Sequence, residues 1–86
     1  MNGMDESEWN EARDLDLRGL KCPLPALMTA KALRSMAEGE GVAVVVTDPL
    51  APLDLRHLCQ RDGHEVRAER AHENGARQLL IRRGPR

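Results

Sequence analysis

A cysteine lies between a lysine and two closely spaced prolines in the segment GLKCPLPAL, residues 19–27. The apolar residues that follow recur at helical spacing, so Cys22 is predicted at the N-cap of a helix and Pro23 at its first position. The partial positive charge of a helix N-terminus and the cation of Lys21 both favour a thiolate. Because a thiolate attacks the sulfur of a disulfide or persulfide, this spacing predicts a site for sulfur chemistry.

The two prolines also shape this site. Pro23 and Pro25 are expected in the first helical turn, where N–H groups have no intrahelical partner and proline is tolerated. The N–H groups of Leu24 and Ala26 remain, and we expect them to point toward the sulfur. With Arg18 as a second nearby cation, the pKa of the thiol is expected to fall below its ordinary value of ~8.5.

A buried and inert thiol is the ordinary alternative for a lone cysteine. The charged Lys21 before Cys22 and the rigid turn after it argue against burial. Position 25 is a proline, so the segment is not a C-x-x-C dithiol and offers no local resolving cysteine. Sulfur bound at this thiol is therefore expected to leave by attack from a partner protein.

The second cysteine, Cys59, falls on the apolar side of a predicted second helix and is expected to be buried and inert. His57 lies two positions before it and points to another side of that helix. The chain shows no zinc-ligand spacing, so neither a metal site nor a cofactor is predicted. Two cysteines in 86 residues are too few for a disulfide framework, which favours a reducing cytoplasm.

The hydrophobic pattern predicts the elements that position Cys22. Short alternating or β-branched runs indicate four strands, and two apolar helical stretches separate the first three of them. The predicted order is strand, helix, strand, helix, strand, strand, in the segments DLDLRGL, LPALMTAKALRSM, VAVVVT, PLDLRHLCQRD, EVRAER and ARQLLIR. Right-handed crossovers would place both helices on the same face of one sheet.

Asp48 follows the second predicted strand and is placed by this layout beside the start of the first helix. It could orient a partner or balance the charges of Lys21 and Arg18. An aspartate before proline is equally an everyday turn former, and both interpretations stay open.

The ends of the chain are predicted to differ from the domain between them. Residues 1–13 are polar and lack an apolar period, which indicates a disordered arm, whereas residues 14–83 form a single domain and residues 84–86 a short tail. The net charge is -1 and the only aromatic residue, Trp9, lies in the arm, so direct nucleic-acid binding is disfavoured. No apolar run approaches the length of a membrane span.

The segments LDLRGLKCPLPALMTAKAL and VVVTDP, followed by a helix and strands ending LLIRR, resemble the TusA/SirA-like family of small sulfur carrier proteins. The resemblance implies an α+β fold, a two-layer α/β sandwich of order β-α-β-α-β-β with a mixed four-stranded sheet. It implies that Cys22 accepts sulfane sulfur as a persulfide, and that Pro23 and Pro25 are the motif prolines. Asp48 would be a partner-facing residue.

The resemblance also implies partners. The donor would be a cysteine desulfurase or a rhodanese-like protein, and the acceptor would belong to transfer RNA thiolation, molybdenum cofactor synthesis or sulfur oxidation. A different hypothesis is an interaction module that uses the open sheet face, where Val45 and Leu80 could form a small apolar patch for a partner. A few exposed aliphatic residues are also ordinary on a sheet, and this ordinary interpretation of Val45 and Leu80 is favoured. A thiol redox protein is disfavoured because no resolving cysteine is present.

Overall fold

The computed structural model describes residues 6–85. Three helices, four strands and a short 3-10 turn follow one another along this range: α1 (Glu6–Glu11), β1 (Arg13–Asp16), α2 (Leu24–Arg34), β2 (Gly41–Val46), α3 (Ala51–Asp62), β3 (Glu65–Ala71), the turn (Glu73–Gly75) and β4 (Arg77–Arg82). From β1 onward, this order confirms the predicted succession of strands and helices.

The four strands form one mixed sheet in the order β1-β2-β4-β3. β1 runs parallel to β2, whereas β4 is antiparallel to both of its neighbours. The predicted α+β class and four-stranded mixed sheet are therefore confirmed. Since β1 and β2 are parallel, the loops that leave their carboxyl ends lie at the same edge of the sheet.

One face of this sheet carries the main hydrophobic core, to which α2 and α3 both contribute. Residues 42–46 of β2 are all buried, as expected for a central strand that packs on both faces. Side chains from both helices and from β2 and β4 meet in a single cluster that includes Leu33, Leu55, Val44 and Ile81. Both helices therefore cover the same face, as the crossover rule predicts.

The prediction of a disordered arm is wrong for residues 6–13; residues 1–5 lie outside the described part of the chain. Residues 6–11 form α1, and the Trp9 side chain is only 8% exposed because it packs on Ala43 and Leu80 of the opposite sheet face. The Arg70 guanidinium lies 3.8 Å from the centre of the indole ring. A helix of six residues is too short to show a hydrophobic period, and docking on the sheet accounts for its order.

This packing also changes what the second sheet face presents. Leu80 and Val45, which the sequence analysis considers as an apolar patch on this face, are only 2% and 8% exposed and are therefore buried.

The ends of the domain also differ from the predicted bounds. Gly84 of the predicted tail donates its N–H to His64 Nδ1 at 2.9 Å, and Arg86 lies outside the described residues. Arg13 is part of β1, so the first strand begins one residue before the predicted domain start.

Candidate functional site

The loop between β1 and α2 is fastened to the end of the neighbouring strand. Gly19 adopts a φ of 87°, a left-handed conformation that favours glycine, and donates its N–H to Thr47 Oγ1 at 2.9 Å. Arg18 forms a two-pronged ion pair with Asp16, at 2.9 and 2.7 Å, which lowers the pKa of this carboxyl to about 2. Arg18 is thus paired with Asp16. No hydrogen bond or ion pair joins it to Cys22, so the predicted support of the thiol by Arg18 has no contact behind it.

Cys22 comes directly after this loop and is exposed. Its backbone N–H donates to Asp48 Oδ2 at 2.7 Å, and the other oxygen of the same carboxylate accepts the Leu50 N–H at 2.9 Å. These two bonds, with the charge of Lys21, lower the pKa of Asp48. The structure therefore brings Asp48 to Cys22, as the parallel strands predict, and Asp48 ties the two loops together.

The start of α2 differs from the prediction by one residue. The first helical bond runs from the Leu27 N–H to the Pro23 carbonyl, which makes Pro23 the cap residue and places Cys22 before it. The Leu24 N–H donates to the Lys21 carbonyl at 2.8 Å. It is thus used within the turn and does not serve the sulfur, contrary to expectation.

The thiol contacts a carboxylate that the sequence analysis did not single out. Cys22 Sγ donates to Asp54 Oδ2 at 2.8 Å, from the first turn of α3. This hydrogen bond, the partial burial of the sulfur and the negative charges of Asp54 and Asp48 raise the pKa of Cys22. The expectation of a lowered pKa is therefore wrong, because the sulfur contacts a carboxylate directly and Asp48 adds a second negative charge.

An acidic residue in the first turn of a helix is favourable for the helix itself, which is why Asp54 gave no functional signal. The predicted order of strands and helices could nevertheless have pointed to Asp54. Both helices start at the edge where the parallel strands β1 and β2 end, so polar residues in the first turn of α3 are candidates for contact with Cys22.

The two helix starts beside this polar centre carry exposed apolar side chains, called here the apolar rim. Five large hydrophobic side chains are exposed in the described structure, and all of them belong to the first two turns of α2 or to the start of α3: Leu24, Leu27, Met28, Leu50 and Leu53. Pro25, in contrast, is buried and packs the helix start against the core. Exposed apolar residues on the helices that start next to a reactive atom suit the docking of another protein.

The remaining chemical candidates lie elsewhere. Cys59 is buried, and its burial raises the pKa of the thiol to about 11, as expected for an inert core cysteine. Within residues 6–85, no cluster of histidine, cysteine, aspartate and glutamate side chains has the make-up of a metal site. None of the helices in this range is long and apolar enough to cross a membrane.

Fold and site together define a class: a small α/β sandwich that presents one accessible thiol at the start of a helix, next to exposed apolar side chains. A family described as "Sulfurtransferase TusA" matches residues 13–83. The chain therefore belongs to the TusA family, and sulfur transfer is its general role.

Individual relatives agree with this assignment. Two proteins named "Putative sulfur carrier protein", from Neisseria meningitidis serogroups A and B, are each 40% identical over 67 residues, which span 78% of this chain and 89% of theirs. The crystal structure of a SirA-like protein from Desulfitobacterium hafniense superposes with a TM-score of 0.74 at 26% identity. It covers 84% of this chain and 97% of the other.

Proposed function

We propose that Cys22 accepts sulfane sulfur from a donor protein as a persulfide and passes it to an acceptor protein. The observation that carries this proposal is the placement of the two thiols. Cys22 is exposed beside the apolar rim, whereas Cys59 is buried in the core and has a raised pKa. A single accessible thiol can hold sulfur but has no second thiol beside it to release that sulfur.

The transfer step is an exchange at sulfur. The Cys22 thiolate attacks the terminal sulfur of the donor's persulfide, the donor's S–S bond breaks, and the donor cysteine leaves as a thiolate that takes up a proton. Delivery repeats the exchange, with an acceptor nucleophile attacking the outer sulfur on Cys22. Each step moves one sulfur atom and needs no external oxidant.

The residues around the thiol support this role in different ways. Asp48 fixes the backbone of Cys22, and Pro23 with Pro25 fixes the helix start that follows. The rim residue Leu24 and the exposed Lys21 are proposed contacts for partners. The proposed donor is a cysteine desulfurase or a rhodanese-like protein. The proposed acceptors serve transfer RNA thiolation, molybdenum cofactor synthesis or sulfur oxidation.

The cytoplasm is the proposed compartment, because both cysteines are free thiols.

The alternative function, an interaction module that binds through the open sheet face, loses support from the position of α1. Trp9 packs on Leu80, and both residues on which such an interface would depend, Val45 and Leu80, are buried.

Sulfur loading tests the proposal directly. The protein is incubated with a cysteine desulfurase, pyridoxal phosphate and cysteine, and intact and peptide masses are recorded without reductant. We expect one added sulfur, about 32 Da, on Cys22. The variant Cys22→Ser should gain no mass, while Cys59→Ala should load like the wild type. An unmodified wild-type protein, or equal labelling of Cys22→Ser, would contradict the carrier function.

A further inference from the structure

We propose that Asp54 keeps Cys22 in its protonated form between transfers, and that the thiol reacts preferentially with a sulfur donor that brings a positive charge to this carboxylate. This inference rests on the proposed carrier function and specifies its donor. Asp54 is assigned as a positioning residue that acts through the sulfur atom of Cys22.

The charges that face the sulfur are arranged unevenly. Asp54 Oδ2 lies 2.8 Å from Cys22 Sγ, and Asp48 holds the backbone N–H of the same residue at 2.7 Å. Lys21 is the cation of the same loop, and its charge acts on Asp48. Arg18 is paired with Asp16. The sulfur therefore faces a carboxylate directly, and no guanidinium or ammonium group contacts it among the described residues.

A thiolate forming at this position would stand next to the negative charge of Asp54. The hydrogen bond from sulfur to carboxylate would be lost at the same time, so the protonated form is favoured until Asp54 is engaged. A cation on an incoming donor would pair with Asp54 and remove both obstacles together. The exposed rim residues Leu50 and Leu53 would be covered on docking, which lowers the local dielectric constant and strengthens such a pair.

The reaction itself is unchanged by this role. Cys22 gives up its proton, the thiolate forms a bond to the donor's outer sulfur, and the departing donor thiolate takes up a proton. Without a cation beside Asp54, the same exchange proceeds through the small fraction of thiolate present at neutral pH. Free protein is thereby less open to adventitious alkylation and oxidation, because the thiolate is the reactive form.

Two small disulfides of similar size test the preference. Cystamine carries two ammonium groups, and bis(2-hydroxyethyl) disulfide is neutral; both form a mixed disulfide with Cys22 that mass spectrometry quantifies. Second-order rates are measured at neutral pH and low salt for the wild type, for Asp54→Asn, and for Glu38→Gln. The last variant removes one charge from an exposed residue in the loop before β2 and serves as the matched control.

We expect Asp54→Asn to react severalfold faster than the wild type with the neutral disulfide, because the carboxylate that holds the proton is gone. The ratio of the cystamine rate to the neutral-disulfide rate should be severalfold lower in Asp54→Asn than in the wild type. Comparing this ratio between the two proteins cancels the intrinsic difference in reactivity between the two disulfides. Glu38→Gln should retain both wild-type rates. In the wild type, added salt should reduce the same ratio, a measurement that requires no variant to fold.

The inference is overturned if Asp54→Asn reacts with the neutral disulfide no faster than the wild type, or if the rate ratio is the same in both proteins and indifferent to salt. This failure differs from failure of the carrier function. The disulfide probes report on Cys22 without any sulfur donor, whereas the carrier function fails if wild-type Cys22 gains no sulfur from a desulfurase.

Discussion

The docking of α1 on the sheet is best tested by replacing Trp9 with alanine. An aromatic side chain buries roughly 150–250 Å², which corresponds to about 4–6 kcal/mol at about 25 cal/mol per Å². This figure is a ceiling, because the denatured chain already buries part of that surface. A helix of six residues can also undock when its anchor is removed, so the loss cannot exceed the net free energy of docking. We therefore expect Trp9→Ala to lower the free energy of unfolding by about 1–3 kcal/mol, less than a cavity in the main core would cost.

The assay is urea unfolding followed by far-ultraviolet circular dichroism, with Trp9→Phe as the control that keeps an aromatic cover. The wild type offers an independent readout, because Trp9 is the only tryptophan and the chain contains no tyrosine or phenylalanine. Its fluorescence reports on α1 alone. We expect the fluorescence transition to coincide with the circular dichroism transition, as it must if α1 belongs to the cooperative unit.

Two results would refute this reasoning. One is a change below about 0.5 kcal/mol for Trp9→Ala, which is the ordinary range for a surface substitution. The other is a native fluorescence spectrum that already matches the urea-denatured one. Either would mean that the indole stays in water and that the N-terminal segment is disordered, as its polar composition suggests.

Two further predictions concern the core and the second thiol. Thr29→Val should raise the free energy of unfolding by about 1 kcal/mol, because the fully buried Thr29 hydroxyl has no hydrogen-bond partner among the described residues and valine has nearly the same shape. Thermal or urea unfolding checks this, and a destabilised variant would contradict it. Iodoacetamide should modify Cys22 and spare Cys59 in the native protein at neutral pH, because Cys59 is buried with a pKa of about 11. In urea it should modify both cysteines. The labelling is read by peptide mass spectrometry, and modification of Cys59 in the native protein would show that α3 opens.

From β1 onward, the sequence was sufficient for the fold because its signals there are local and repeated. The β-branched run of β2 predicts a buried strand, and the predicted segment of the second helix, PLDLRHLCQRD, ends at Asp62, as α3 does. The segment around Cys22 likewise predicts an accessible thiol, which is exposed, and the parallel strands bring Asp48 beside it.

The errors arise where contacts are long-range. Asp54 reaches Cys22 across 32 positions, and its place in a first helical turn has a sufficient local explanation. The pKa of Cys22 was predicted to fall from helix and cation effects, because no local pattern revealed the carboxylate that raises it. Trp9 gave no signal for the same reason, since its partners Ala43 and Leu80 belong to distant strands.

The contacts of Cys22 also link the reactivity of the thiol to folding. Asp48 and Asp54 follow it by 26 and 32 positions, so they reach it only in the folded chain. Because the pKa of Cys22 is higher in the folded state, the thiol contact contributes stability below the ordinary pKa of a cysteine, and this contribution is lost as the pH rises through the folded value. Any event that lifts the start of α3 from the loop returns the thiol to ordinary reactivity. Local opening of α3 is thus a second route to a reactive thiol, besides pairing of Asp54 with a cation, and hydrogen exchange at the start of α3 would measure how often it occurs.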